Sequence, residues 1–82
     1  LIRRQPYVRV DMKSLSKIKR ASERITGESA SIKYDEYTGP HIEVTSEETI
    51  PMEKLDAVCE QTGALMKVEG EGYLGEYTYL FR

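Results

Sequence analysis

Two side chains in this chain are of the kind used for nucleophilic catalysis, Cys59 and the lone His41. A thiol activated by an imidazole needs a third group to orient the base and donors to hold the developing oxyanion. No motif supplying either accompanies them. Cys59 falls one helical turn beyond Leu55 on an apolar stripe, so it is expected to fill core space. His41 follows Gly39-Pro40 at the head of a strand-like run. The acid pairs Asp35-Glu36 and Glu47-Glu48 lack the ligand spacing of a cation site and read as solvated charge. A single cysteine provides neither an internal disulfide nor a Cys-based zinc centre. The expectation is a protein that is not an enzyme, with no catalytic residue, no metal ligand and no cofactor.

Binding chemistry has two candidate sources. The aromatic set is six tyrosines, one phenylalanine and no tryptophan. Tyr73, Tyr77, Tyr79 and Phe81 share one face of a predicted last strand, and tyrosine buries large area at small entropic cost. A terminal strand added to a finished sheet is expected at its edge, and an edge with few charges invites another chain. These four residues are the expected partner-binding set.

The second source is a basic stripe. Lys13, Lys17, Arg20 and Arg24 fall at i, i+4, i+7 and i+11, on one side of a helix. With Arg3 and Arg4, residues Lys17, Arg20 and Arg24 offer an anion or nucleic-acid surface. Residues 1–33 carry a net charge of +6 and residues 34–82 a net charge of −8. That split also suits two neighbouring helices of opposite sign, with Arg20 facing Glu53 or Asp56 in pairs worth about 0–1 kcal/mol each. The chain as a whole is acidic, with a pI near 5.4, which ranks helix complementarity above nucleic acid.

The elements that position these residues are legible from period and punctuation. Ile32 and Tyr34 alternate with Lys33 and Asp35, Ile42 and Val44 with Glu43 and Thr45, and Thr38-Gly39-Pro40 breaks the two runs. This pattern predicts an antiparallel hairpin. Before it, Val8, Val10 and Met12 alternate in a strand from Tyr7 to Met12. Leu15, Ile18, Ala21, Ser22 and Ile25 then recur at helical spacing from a Ser14 cap to Gly27. After the hairpin, Met52, Leu55, Val58, Cys59 and Thr62 form a second apolar stripe that Gly63 closes. Leu65 to Val68 reads as a short strand, Glu69-Gly70-Glu71-Gly72 as a hairpin turn, and Tyr73 to Phe81 as the last strand.

Right-handed crossovers on one antiparallel sheet turn this order into an α+β two-layer sandwich. It is a ferredoxin-like βαββαβ unit with an additional C-terminal strand, its sheet covered on one face by two helices. Better-known users of that architecture carry paired cysteines, a Gly-rich phosphate loop, aromatic core strands or a glycine in the first turn. This chain carries none of these and resembles none of them. Residues 1–6 are expected as an arm and residues 7–82 as one domain, near the lower size limit for an unassisted core.

No apolar run approaches the roughly 18 residues of a membrane span, and no signal-peptide pattern occurs. With one cysteine, this predicts a cytoplasmic protein without membrane contact. The leading expectation is a small interaction module binding another protein or itself, as a homodimer. A nucleic-acid-binding protein using the arm and first helix is the alternative. A regulatory domain binding a small ligand between strand and helix ends is the third.

Overall fold

The computed structural model describes residues 12–71 and 75–82. Its elements run α1 (Met12–Thr26), β1 (Ala30–Asp35), β2 (Gly39–Ser46), α2 (Met52–Thr62), β3 (Met66–Glu71) and β4 (Tyr77–Phe81). The arm with Arg3 and Arg4, residues 7–11 of the strand predicted from Tyr7 to Met12, and Tyr73 lie outside the described residues, and Met12 is helical rather than extended. Met12 and Ser14 belong to α1, so the helix starts ahead of the expected cap.

The β1–β2 hairpin forms where the alternation predicts it. Asp35 pairs with Gly39, leaving Glu36, Tyr37 and Thr38 as the loop. Asp35 Oδ1 accepts from the Tyr37 N–H at 2.7 Å and from the Thr38 N–H at 3.2 Å, so the carboxylate closes the turn locally. Just past the loop, Gly39 takes φ +83°, a left-handed conformation that glycine adopts without steric cost. Pro40 is tolerated in β2 because β4 pairs only with Ile42–Ser46, so no neighbour on that side needs its missing N–H.

Among the described residues all strand pairs are antiparallel, in the order β1-β2-β4-β3. The α+β layout, with both helices on one face of the sheet, is as the sequence predicts. The strand order fits a ferredoxin-like sheet, and the place of the last strand is the difference. Instead of widening the sheet at an edge, β4 sits between β2 and β3, the central position a first strand would hold in a βαββαβ unit. In that position Ile42 opposes Phe81 and Val44 opposes Tyr79 in the middle of the core face.

The core combines Leu15 and Ile18 of α1, Ile42 and Val44 of β2, Leu55 and Val58 of α2, and Tyr79 and Phe81 of β4, with Ala30, Ile50 and Ala64 filling between. Ile25 and Cys59 pack against it, half-buried. Ile32, expected inside, is instead 39% exposed on β1. Ser22 is buried on α1, its hydroxyl donating to the Ile18 carbonyl at 2.7 Å. Gly63 ends α2 in the left-handed conformation, its N–H donating to the Cys59 carbonyl at 2.7 Å.

Where the turn at Glu69–Gly72 is expected, Glu69, Gly70 and Glu71 instead belong to β3, which continues to Glu71, and Gly72 lies outside the described residues. Gly70, at φ +105°, takes part in an irregularity between Val68 and Gly70 that leaves Glu69 outside the regular pairing. A glycine between polar residues serves a bulge as readily as a turn, and here the bulge prevails.

Candidate functional site

Strand alternation divides the side chains into two faces. Toward the helices point Ile42, Val44, Tyr79 and Phe81, all buried. Away from them point Lys33 on β1, His41, Glu43 and Thr45 on β2, Thr78 and Leu80 on β4, and Lys67 on β3. No helix among the described residues covers this second face.

At one end of it lies a cleft of about 310 Å³. One wall is Asp35 and Thr38 at the β1–β2 turn, with Arg82 reaching over from the end of β4; the other is Leu65, Met66, Lys67 and Glu69. His41 and Leu80 lie between. His41 is only 8% exposed although it sits on the uncovered face. Its Nδ1 lies 3.3 Å from the Gly39 carbonyl, within hydrogen-bond reach.

The cleft's charges are held by backbone. Thr38 contributes both its peptide groups: its N–H donates to Asp35, and its carbonyl accepts from Arg82 Nη1 at 2.6 Å. The two N–H donors from Tyr37 and Thr38 hold the Asp35 carboxyl below its ordinary range, with smaller help from His41 and Lys67. Among the described residues the one ion pair is Lys19–Glu23 at 3.4 Å, on α1. Asp35, Lys67, Glu69 and Arg82 are therefore unpaired with one another.

A second feature lies at the sheet's edge. Among the described residues β1 has a single strand neighbour, β2. On its helix-side face Ile32 is 39% and Tyr34 78% exposed, and Tyr37 at the adjoining turn is 91% exposed.

The residues expected to bind a partner are placed differently. Tyr79 and Phe81 are core residues at 3% and 0% exposure, and Tyr77 is half-buried against the same core. Their strand is interior, so the expected aromatic edge at β4 is corrected to an aromatic centre. Of the basic stripe, Lys17, Arg20 and Arg24 are exposed on α1. The expected pairing of Arg20 with Glu53 or Asp56 does not form; the helices are instead joined by Arg24 donating to the Gln61 carboxamide. Cys59 is half-buried, and burial, aided by the nearby Asp56 charge, pushes its thiol above the ordinary range. No group of three His, Cys, Asp or Glu side chains among the described residues is placed to hold a metal ion. No helix among them is long and apolar enough to cross a membrane.

Sequence reasoning missed the cleft. Asp35 and Thr38 belong to a readable motif, an acid three residues ahead of a turn Thr-Gly, but Lys67 and Arg82 come to it only through strand order. Comparison with protein-family models, with curated proteins and with solved structures gives no match.

Proposed function

We propose that this protein is a self-associating interaction module whose contact is the outer edge of β1, pairing antiparallel with β1 of a second copy. The supporting observation is that this edge strand carries Ile32 and Tyr34 exposed on one face. Like charges opposed across strands are destabilising, which weighs against one register. A two-fold axis at Lys33 would set that lysine against its own copy. An axis at Ile32 places Ile32 on Ile32, Tyr34 over Ala30, and Lys33 opposite Ser31, with no like charges facing and the strand overlapping from Ala30 to Tyr34. The sheets of the two copies then become one continuous sheet, and the apolar pair leaves water.

A cross-linking experiment tests both contact and register. Opposed residues of an antiparallel pair have Cα atoms about 4.5–5.5 Å apart, within disulfide reach. In a Cys59→Ala background, Ile32→Cys should oxidise to a covalent dimer, while Glu47→Cys should not. Sedimentation of the unmodified chain should show a concentration-dependent dimer that Ile32→Asp with Tyr34→Asp dissociates without unfolding. A monomer at every concentration would remove the reading. Co-purifying nucleic acid that is released by salt, and lost on changing Lys17, Arg20 and Arg24 to Gln, would replace it with the nucleic-acid alternative.

A further inference from the structure

We infer that the cleft on the uncovered sheet face is a binding site for a small zwitterion of the α-amino-acid class bearing an apolar side chain. Three observations carry this, and none depends on the β1 edge. The first is size. About 310 Å³ lies at the small end of the roughly 300–1,000 Å³ typical of small-molecule sites, which suits a single metabolite rather than a peptide.

The second is charge balance. Lys67 and Arg82 bring two positive charges, Asp35 and Glu69 two negative ones, and none neutralises another by contact. A phosphate or dicarboxylate entering here would meet two carboxylates, and a polyamine would meet two cations. A ligand carrying one charge of each sign satisfies both.

The third is arrangement. Asp35 and Arg82 are anchored on the N–H and the carbonyl of the same residue, Thr38, so an acceptor and a donor of opposite charge stand side by side on one wall. Arg82 uses Nη1 on that carbonyl, and its other N–H groups are free to take a carboxylate in charge-assisted hydrogen bonds. Asp35 uses Oδ1 for the turn, and its second oxygen is free to receive an ammonium. Leu80 and Leu65 supply apolar surface beyond this pair for a side chain.

The test is an NMR titration of the full chain with leucine, methionine and phenylalanine, alongside N-acetyl-leucine, which lacks the ammonium, and leucinamide, which lacks the carboxylate. At least one free amino acid is expected to bind saturably, shifting amide signals of Asp35, Thr38, His41, Lys67 and Leu80 and leaving those of the β1 edge at Ile32 unmoved. Both blocked derivatives should bind about tenfold more weakly or worse, as should Arg82→Gln and Asp35→Asn, each variant first checked for an otherwise native spectrum. Asn keeps the oxygen that closes the turn and loses only the charge. Equal binding of the blocked derivatives, undiminished binding by both variants, or no saturable shift with any amino acid at millimolar concentration would each overturn the assignment. Shifts confined to Ile32 and Tyr34 would also overturn it, while leaving the edge-pairing proposal standing.

Discussion

The Ile50 N–H donates to the phenolic oxygen of Tyr79 at 3.0 Å, joining the loop ahead of α2 to the middle of the sheet across 29 residues. Both residues are buried, so this N–H has lost water as a partner. Tyr79→Phe keeps the ring and orphans the donor, which should cost about 1–3 kcal/mol in chemical denaturation. The sedimentation behaviour of the variant should match that of the unmodified chain, because Tyr79 serves the core. A loss below about 0.5 kcal/mol would mean that the hydroxyl contributes nothing beyond the ring.

Phe81 and Leu55 face each other's layer at 0% and 1% exposure, one from the sheet and one from α2. Phe81→Ala should cost about 3–5 kcal/mol and Leu55→Ala about 2–5 kcal/mol, through lost burial and the cavities left behind. Small domains have only about 5–15 kcal/mol in total, so either variant should melt far below the parent. Thermal denaturation showing less than about 1 kcal/mol lost for Leu55→Ala would contradict its place in the core.

These same positions mark what was legible in the sequence and what was not. Leu15, Ile18, Leu55 and Val58 announce themselves by helical spacing, and Ile42 and Val44 by alternation, because local period alone decides which face is apolar. Gly27 and Gly63 mark helix ends through backbone conformation, again a local property. The place of β4 is not local. Whether Tyr79 and Phe81 line an edge or fill a centre depends on which strand takes the gap between β2 and β3, and alternation is identical in both cases. The cleft was hidden for the same reason, since Lys67 and Arg82 approach Asp35 only once β4 and β3 are set in order. Gly70 misled because a turn and a bulge ask the same freedom of the backbone.

Gly39 has φ +83° and no atom within 4 Å of where a Cβ would stand. A substitution there meets no steric neighbour and bears only the cost of the left-handed backbone. Gly39→Ala should therefore destabilise by about 1–2 kcal/mol, and Gly39→Asn by less, because asparagine tolerates that conformation. Equal losses for the two in urea denaturation would point to a cause other than backbone conformation.

Cys59 is half-buried on α2, and burial together with the Asp56 charge favours its neutral thiol. The thiolate is the reactive form, so alkylation by iodoacetamide in mildly alkaline buffer should be slower than for a thiol in an unfolded peptide. Adding denaturant should remove the difference. Asp56→Asn should speed the folded-state reaction slightly, since burial is the larger cause and persists. Reaction at the unfolded rate in native buffer would show that Cys59 is open to solvent.

Glu23 joins the end of α1 to the start of β1. Its Oε2 accepts from the buried Ala30 N–H at 3.1 Å and from Lys19 Nζ at 3.4 Å. The Ala30 N–H is the main cause holding this carboxyl below its ordinary range; burial opposes it, and Lys19 adds a smaller pull in the same direction. A carboxyl with a lowered folded value binds fewer protons in the folded chain than in the unfolded one. Its contribution is thus fully present above the ordinary glutamate range and is lost as pH falls through the lowered folded value. Glu23→Gln retains an oxygen for the Ala30 N–H and removes the titration. The variant should be less stable than the parent at neutral pH, and the gap should close as melts are taken into the acid range. A gap of constant size from neutral to acid pH would show that the ionised carboxylate is not what Ala30 holds.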